Sequence, residues 1–280
     1  MRRTSSVAPL VAALSATAVV LAGHAASSEA PAGPAAITSR YERAVMADHP
    51  AAFLQGTADL TGRGRPGSIV GGHSATSLPN GDPAVAFNGH GQYLRFANRP
   101  AFRIASKGVL TAEYWIRPDT LQFSDEEGSG YVYILGKGDP GRHEWYARMY
   151  SEVNRELRPN RLSGYAFKPS GGLGSGSYFQ DPVAPGTWIH ITLVVNTNKR
   201  SERYPMGYVK IYKNGELRDQ DSLADYDIRV RSGSAPLRVG TGYLDSFFQG
   251  AVGNVALYRK ELAPKRIRAH TEAMQVSARR

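Results

Sequence analysis

Residues 186–217 read GTWIHITLVVNTNKRSERYPMGYVKIYKNGEL, and this stretch limits the fold more than any other. Ile189, Ile191, Leu193 and Val195 alternate with Trp188, His190, Thr192 and Val194, the period of a strand with two distinct faces. Tyr208–Lys213 is a second such run, and Asn214-Gly215 directly after it supplies the positive φ values of a tight hairpin turn. Two strands cannot bury their faces alone, so this pair requires a larger sheet around it.

The same rhythm runs through most of the chain. Val85 and Phe87 alternate before Asn88-Gly89, and Tyr93, Arg95 and Ala97 oppose Leu94 and Phe96. In 110–118, Ala112, Tyr114 and Ile116 alternate against Glu113, Trp115 and Arg117. Strands are expected at 131–135, 144–150, 162–168, 177–179, 237–239 and 251–258, with short helices only at Arg40–Ala47 and 264–274. Regular short strands separated by turn signals predict an all-β, two-sheet antiparallel sandwich with short terminal helices. A chain of 280 residues has room for one such domain, since sandwiches of roughly 200–250 residues occur as single units.

The ends read differently. Arg2 and Arg3 precede an uninterrupted run of small and apolar residues at 7–22, and small residues continue to Ala30. Residues 1–30 are therefore expected to be a secretory signal peptide cleaved near Ala25–Ala30, which makes the mature protein secreted. Residues 31–39 form an Ala/Pro/Gly linker, 40–274 the domain and 275–280 a basic tail. No later stretch is long and apolar enough to predict a membrane span. The absence of cysteine excludes thiol nucleophiles, thiolate metal sites and disulfides. A net charge of +10 suits acidic partners such as uronate-bearing or sulfated glycans, and equally a generic solvated surface. No recognition helix or nucleic-acid-binding strand motif accompanies that charge, so nucleic acid is not expected as a partner.

The hairpin region, with Gly186-Thr187-Trp188 and His190 followed by Val209, Ile211, Tyr212 and Asn214-Gly215-Glu216, resembles the laminin-G-like, concanavalin A-like jelly-roll family. The opening segment adds Ala44-Val45, Ala47-Asp48, Pro50-Ala51-Ala52, Asp59-Leu60-Thr61-Gly62-Arg63-Gly64 and Val70-Gly71-Gly72. The closing run FQGAVGNVALYRKELAPKRI resembles the family's last strand and small helix. The resemblance covers 41–274 and implies a jelly roll with a concave sheet, whose outward face suits an extended ligand. It also implies a structural calcium near the early Asp-containing loop, where Asp59 matches. The family's closing carboxylates are replaced here by Val252-Gly253-Asn254-Val255, so no metal is assigned. The sequence identifies no cofactor.

Strand parity nominates the groove. If Trp145, Ala147 and Met149 face the interior, then Tyr146, Arg148 and Tyr150 face out, joined by His190 and Thr192 and, more weakly, by Tyr165 and Lys210. Aromatic rings stack on the C–H faces of sugars, and arginine binds a carboxylate with two parallel hydrogen bonds. The plain reading is that Tyr and Arg are ordinary residues on a strand's polar face. His190 is read as a packing or hydrogen-bonding residue ahead of a catalytic one. The expected function is recognition of a polysaccharide or cell-surface glycan, an acidic one among the candidates. An alternative is a polysaccharide lyase using Arg148, His190, Tyr146 and Tyr165 for β-elimination; a third is a protein-interaction module. The Glu-x-Asp-x-x-Glu arrangement of retaining glucanases is absent, and Asp125-Glu126-Glu127 reads as a solvated loop. The glycine-rich 171–176 run lacks the lysine of a phosphate loop and is expected at the groove mouth.

Overall fold

The structure, a computed structural model, describes residues 37–124, 126–242 and 244–275. The expected signal peptide, most of the expected linker, Asp125, Tyr243 and the residues beyond Gln275 lie outside them. After helix α1 (Arg40–Ala47) come β1 (Ala52–Gln55), β2 (Ala58–Asp59), β3 (Ser68–Val70), β4 (Ser74–Ser77), β5 (Pro83–Asn88) and β6 (Tyr93–Phe96). The middle of the chain holds β7 (Val109–Pro118), β8 (Tyr131–Lys137), β9 (Trp145–Tyr150), β10 (Leu162–Ala166) and β11 (Ser175–Phe179). Then follow β12 (Ile189–Asn196), β13 (Tyr208–Lys213), β14 (Glu216–Ser222), β15 (Leu237–Val239), β16 (Gln249–Tyr258) and helix α2 (Pro264–Gln275).

These strands form two antiparallel sheets. The nine-stranded sheet runs β14-β13-β12-β7-β16-β1-β2, with β5 on β16 and β4 on β5; the seven-stranded sheet runs β11-β10-β9-β8-β15-β6-β3. The expected hairpin is present: Lys213 pairs with Glu216, and Asn214 and Gly215 take φ 49° and 88° in the turn. Strand β16 has two partners on one edge, pairing with β5 through Gly253 and with β1 from Val255 onward. Asn254 sits at the fork with φ 49°, a conformation asparagine tolerates better than most residues. Its side chain accepts from Gln55 at 3.1 Å and donates to Asp82 at 2.8 Å.

Alternation decides the core. Ile189, Ile191, Leu193 and Val195 of β12 meet Trp145, Ala147 and Met149 of β9 in the main cluster between the sheets. The opposite face of the nine-stranded sheet is also covered. Tyr41 and Val45 of α1 and Ile267, Ala273 and Met274 of α2 pack on Phe53, Trp115, Val194 and Tyr258. A strand covered on both sides carries its polar residues indoors, and each must find a partner. Glu113 of β7 is such a residue, with no exposed surface. It accepts from Tyr41 Oη at 2.7 Å and lies 2.9 Å from His270 Nδ1 and 3.3 Å from His190 Nε2. His270 Nε2 is 2.9 Å from Asp48, which also accepts from Arg266 at 2.7 Å.

This network sets a pH window for the helical cover. Burial alone would raise the Glu113 carboxyl, but His270 and His190 beside it hold it well below the usual carboxylate range. Burial would depress His270, yet Glu113 and Asp48 outweigh it and raise the imidazole. The Glu113 contribution is complete above its unfolded value of about 4.3 and is lost as pH falls through the folded one. The His270 contribution is complete below about 6.5 and is lost as pH rises through the raised folded value. Substituting His270→Ala should cost roughly 3 kcal/mol between about pH 4.5 and 6.5 in urea unfolding, and less as the pH climbs further. A difference from wild type that does not shrink as the pH rises above about 6.5 would refute the ion-pair assignment.

Candidate functional site

Among the described residues, α1 and α2 both cover the nine-stranded sheet and neither packs on the outer face of the seven-stranded one. A cleft of about 620 Å³ opens there, lined from successive strands by Tyr131, Arg148, Tyr150, Tyr165 and Tyr178. Its walls add Arg158, Arg161, the 172–176 glycine-rich segment, Asp221, Asp225 and Tyr226. Antiparallel pairing builds this surface: Arg148 stands opposite Tyr133 and Ser163, and Tyr131 opposite Tyr150. The side chains of one face therefore gather across neighbouring strands.

Arg148 is the centre of the arrangement. Its guanidinium carbon lies 4.4 Å from the Tyr131 ring centroid and 4.0 Å from that of Tyr165. Such contacts hold a cation without neutralising it. Among the described residues, Arg148 has no ion pair, and its Nε is buried with no hydrogen-bond partner. The neighbouring arginines are occupied. Arg158 pairs with Glu156 and donates to Tyr150 Oη at 3.1 Å, while Arg161 lies over the Tyr178 ring at 3.5 Å. In the cleft lining, burial together with Asp219 and Asp225 pushes the Asp221 carboxyl up to about 6. Gly176, opposite Tyr165 on β11, makes room for that ring, because a Cβ there would overlap Tyr165 Cδ1.

The sequence-nominated residues divide. Arg148, Tyr150 and Tyr165 share this cleft. Tyr146 faces out from the sandwich but is fully covered, packed on Tyr133 at 4.8 Å and Phe167 at 5.5 Å, with its hydroxyl 3.3 Å from His143 Nδ1. It forms the bed beneath the cleft and does not line it. His190 and Lys210 belong to the nine-stranded sheet, so the expectation that they share the groove is corrected. His190 is sealed under α1 and α2, with Nδ1 2.7 Å from Thr271 Oγ1. Lys210 pairs with Glu261 at 2.7 Å. Outward parity alone cannot say which sheet a strand joins.

Sequence reasoning passed over Tyr131, Tyr178, Arg158 and Arg161. Parity could have supplied the first two, since they sit on strands whose alternate residues Val132 and Phe179 are core. The two arginines lie between β9 and β10, where periodicity carries no signal. The glycine-rich run does border the cleft, and its end is already strand, from Ser175 rather than Ser177. Asp59 is spent internally: it pairs with Arg99 at 2.7 Å and accepts from the Phe53 and Thr61 amides.

Residues 88–268 match the family model described as the concanavalin A-like lectin/glucanases superfamily, and the chain belongs to that family. Among solved structures, it is similar to the receptor-binding domain of the botulinum neurotoxin C/D mosaic serotype (TM-score 0.58, 14% identity), with 80% of this chain and 51% of that one covered. The binding domain of botulinum neurotoxin DC in complex with SialylT aligns with TM-score 0.59 at 15% identity, over 82% of this chain and 52% of that one. Domain 4 of AbnA, an extracellular arabinanase from Geobacillus stearothermophilus in complex with arabinotriose, aligns with TM-score 0.53 at 16% identity, over 79% of this chain and 98% of that domain. The chain thus spans about half the length of the toxin domains. At these identities the likeness is one of fold. No curated protein matches the chain in sequence.

A half-buried arginine without a carboxylate contributes little to the fold it sits in. Replacing Arg148→Met, of similar reach, should therefore change unfolding free energy by less than about 1 kcal/mol in urea titration. A larger loss would show that the guanidinium is held for stability.

Proposed function

We propose that this protein is an exported glycan-binding module, and that it takes an acidic sugar across the outer face of the seven-stranded sheet. The observation that supports this most is the Arg148 guanidinium, held between the Tyr131 and Tyr165 rings with no acidic partner of its own. A uronate carboxylate satisfies the open fork, and the flanking rings take the C–H faces of adjacent residues. The cleft admits several sugar units, in keeping with a polymer rather than a single small ligand. Solved domains of similar fold are complexed with arabinotriose, in the arabinanase domain, and with SialylT, in the toxin domain. Export rests on the basic and apolar N-terminal segment; among the described residues, no helix is long and apolar enough to cross a membrane.

The residues nominated for β-elimination do not assemble, because His190 is enclosed behind the opposite sheet and Tyr146 lies under Phe167. A second reading, docking of a protein at the cleft rim, is favoured by the exposed side chains of Leu157 and Leu173, at 87% and 73%.

Calorimetric titration with an oligouronate and with its carboxyl-reduced counterpart tests the proposal. Arg148→Met should weaken the acidic ligand by about 1.5–3 kcal/mol and leave the neutral one unchanged, whereas Tyr165→Ala should weaken both by about 1 kcal/mol. Wild-type affinity in the double variant would move the function to the rim. Absorbance from unsaturated uronate should not rise during the titration; a rise would reinstate the lyase.

A further inference from the structure

A second cleft, of about 510 Å³, shares no residue with the first. It is lined by His49 and Ala51 between α1 and β1, Arg63 after β2, Arg99 to Ala101 after β6, and Arg259 and Lys260 after β16. Three separate parts of the chain thus bring four permanent cations to one concavity whose lining holds no carboxylate. Like charges brought together raise the energy of the folded state, and an anionic ligand relieves that repulsion.

Two local features separate this cleft from an ordinary basic surface. Arg99 is fixed: it donates to Asp59 at 2.7 Å, its guanidinium lies 4.5 Å from the Phe102 ring centroid, and a Cβ at Gly64 would overlap it. His49 holds φ 53° just past the end of α1, its amide donating to Met46 O at 3.0 Å. That is the left-handed capping position glycine fills most easily, so a histidine there carries backbone strain. Strain kept at a cleft wall is a mark of a functional position. Among the described residues, Arg259 and Lys260 are exposed and make no ion pair, while the Arg63 side chain donates to Pro50 O at 3.3 Å and meets no carboxylate.

We infer that this cleft is an anion site for sulfate or phosphate ester groups carried on a polymer. Arginine forks match tetrahedral oxyanions as well as carboxylates. Cations spread over such a volume suit neighbouring ester groups on one chain better than a single free ion.

The test uses dextran sulfate as probe, with affinity measured at low and at physiological salt. The variant Arg63→Gln/Arg259→Gln should bind it roughly tenfold or more weakly than wild type, with a shallower salt dependence. One control accompanies it: Arg229→Gln/Arg231→Gln removes the same charge from an exposed loop elsewhere and should stay near wild type. Arg148→Met, which removes the first cleft's arginine, measures the share of binding that belongs there. Equal loss in the charge-matched control would reduce the effect to net charge, and loss confined to Arg148→Met would assign the polymer to the first cleft. Either result, or an unchanged Arg63→Gln/Arg259→Gln variant, overturns the inference. Inorganic phosphate added as competitor separates the sources: displacement at concentrations matching the probe's own ester groups would make the ligand the free ion and overturn the polymer assignment.

Discussion

The carboxylate of Glu113 lies inside the protein, and much of the architecture answers to it. A charge removed from water must be met by other polar groups or the fold loses more than burial returns. Tyr41 from α1, His270 from α2 and His190 from β12 meet it, so the two terminal helices and the central strands converge on one oxygen pair. The helices that supply these partners also bring Val45, Ile267 and Met274 down on the sheet. Polar pairing fixes where the helices sit, and apolar area supplies most of the adhesion.

That cover makes the two sheets unequal. One outer face is closed by helices and carries residues of catalytic type, Thr271, His190 and Glu113, in a chain of contacts that substrate does not reach. The other outer face is left without α1 or α2 over it. There, Tyr133, Tyr146 and Phe167 form a small packed bed, and Arg148 with its flanking tyrosines rises beside it as the floor of a cleft. A ligand site on this fold is thus a matter of which sheet face the helices leave open.

The charge surplus is distributed with similar economy. Most cations of the described residues that approach an acid pair with it: Arg238 with Asp139, Arg218 and Lys213 with Asp181, Lys137 with Glu144. Arg148, Arg63, Arg259 and Lys260 do not. These unpaired cations occupy concave surfaces, where desolvation by a ligand strengthens their field. The two clefts differ in kind, since the first interleaves cations with aromatic rings and the second gathers cations from distant parts of the chain.

Much of the architecture is legible in the chain itself. Period-two alternation at 110–118, 144–150 and 189–195 fixed which residues face the interior, because a strand's side chains have only two directions to choose between. Asn214-Gly215 fixed a hairpin, since few other dipeptides take that turn without strain. Parity carried Arg148, Tyr150 and Tyr165 to the outer face of the seven-stranded sheet. It could not separate them from His190 and Lys210, which also point away from the interior but leave it through the other sheet. Nor could it show that Tyr146 would be roofed by Phe167, or that Arg63, Arg99 and Arg259 would share one concavity. Local pattern settles the direction of a side chain relative to its own strand; the pairing order of strands and the placement of helices, both set by contacts far apart in sequence, settle what that side chain meets.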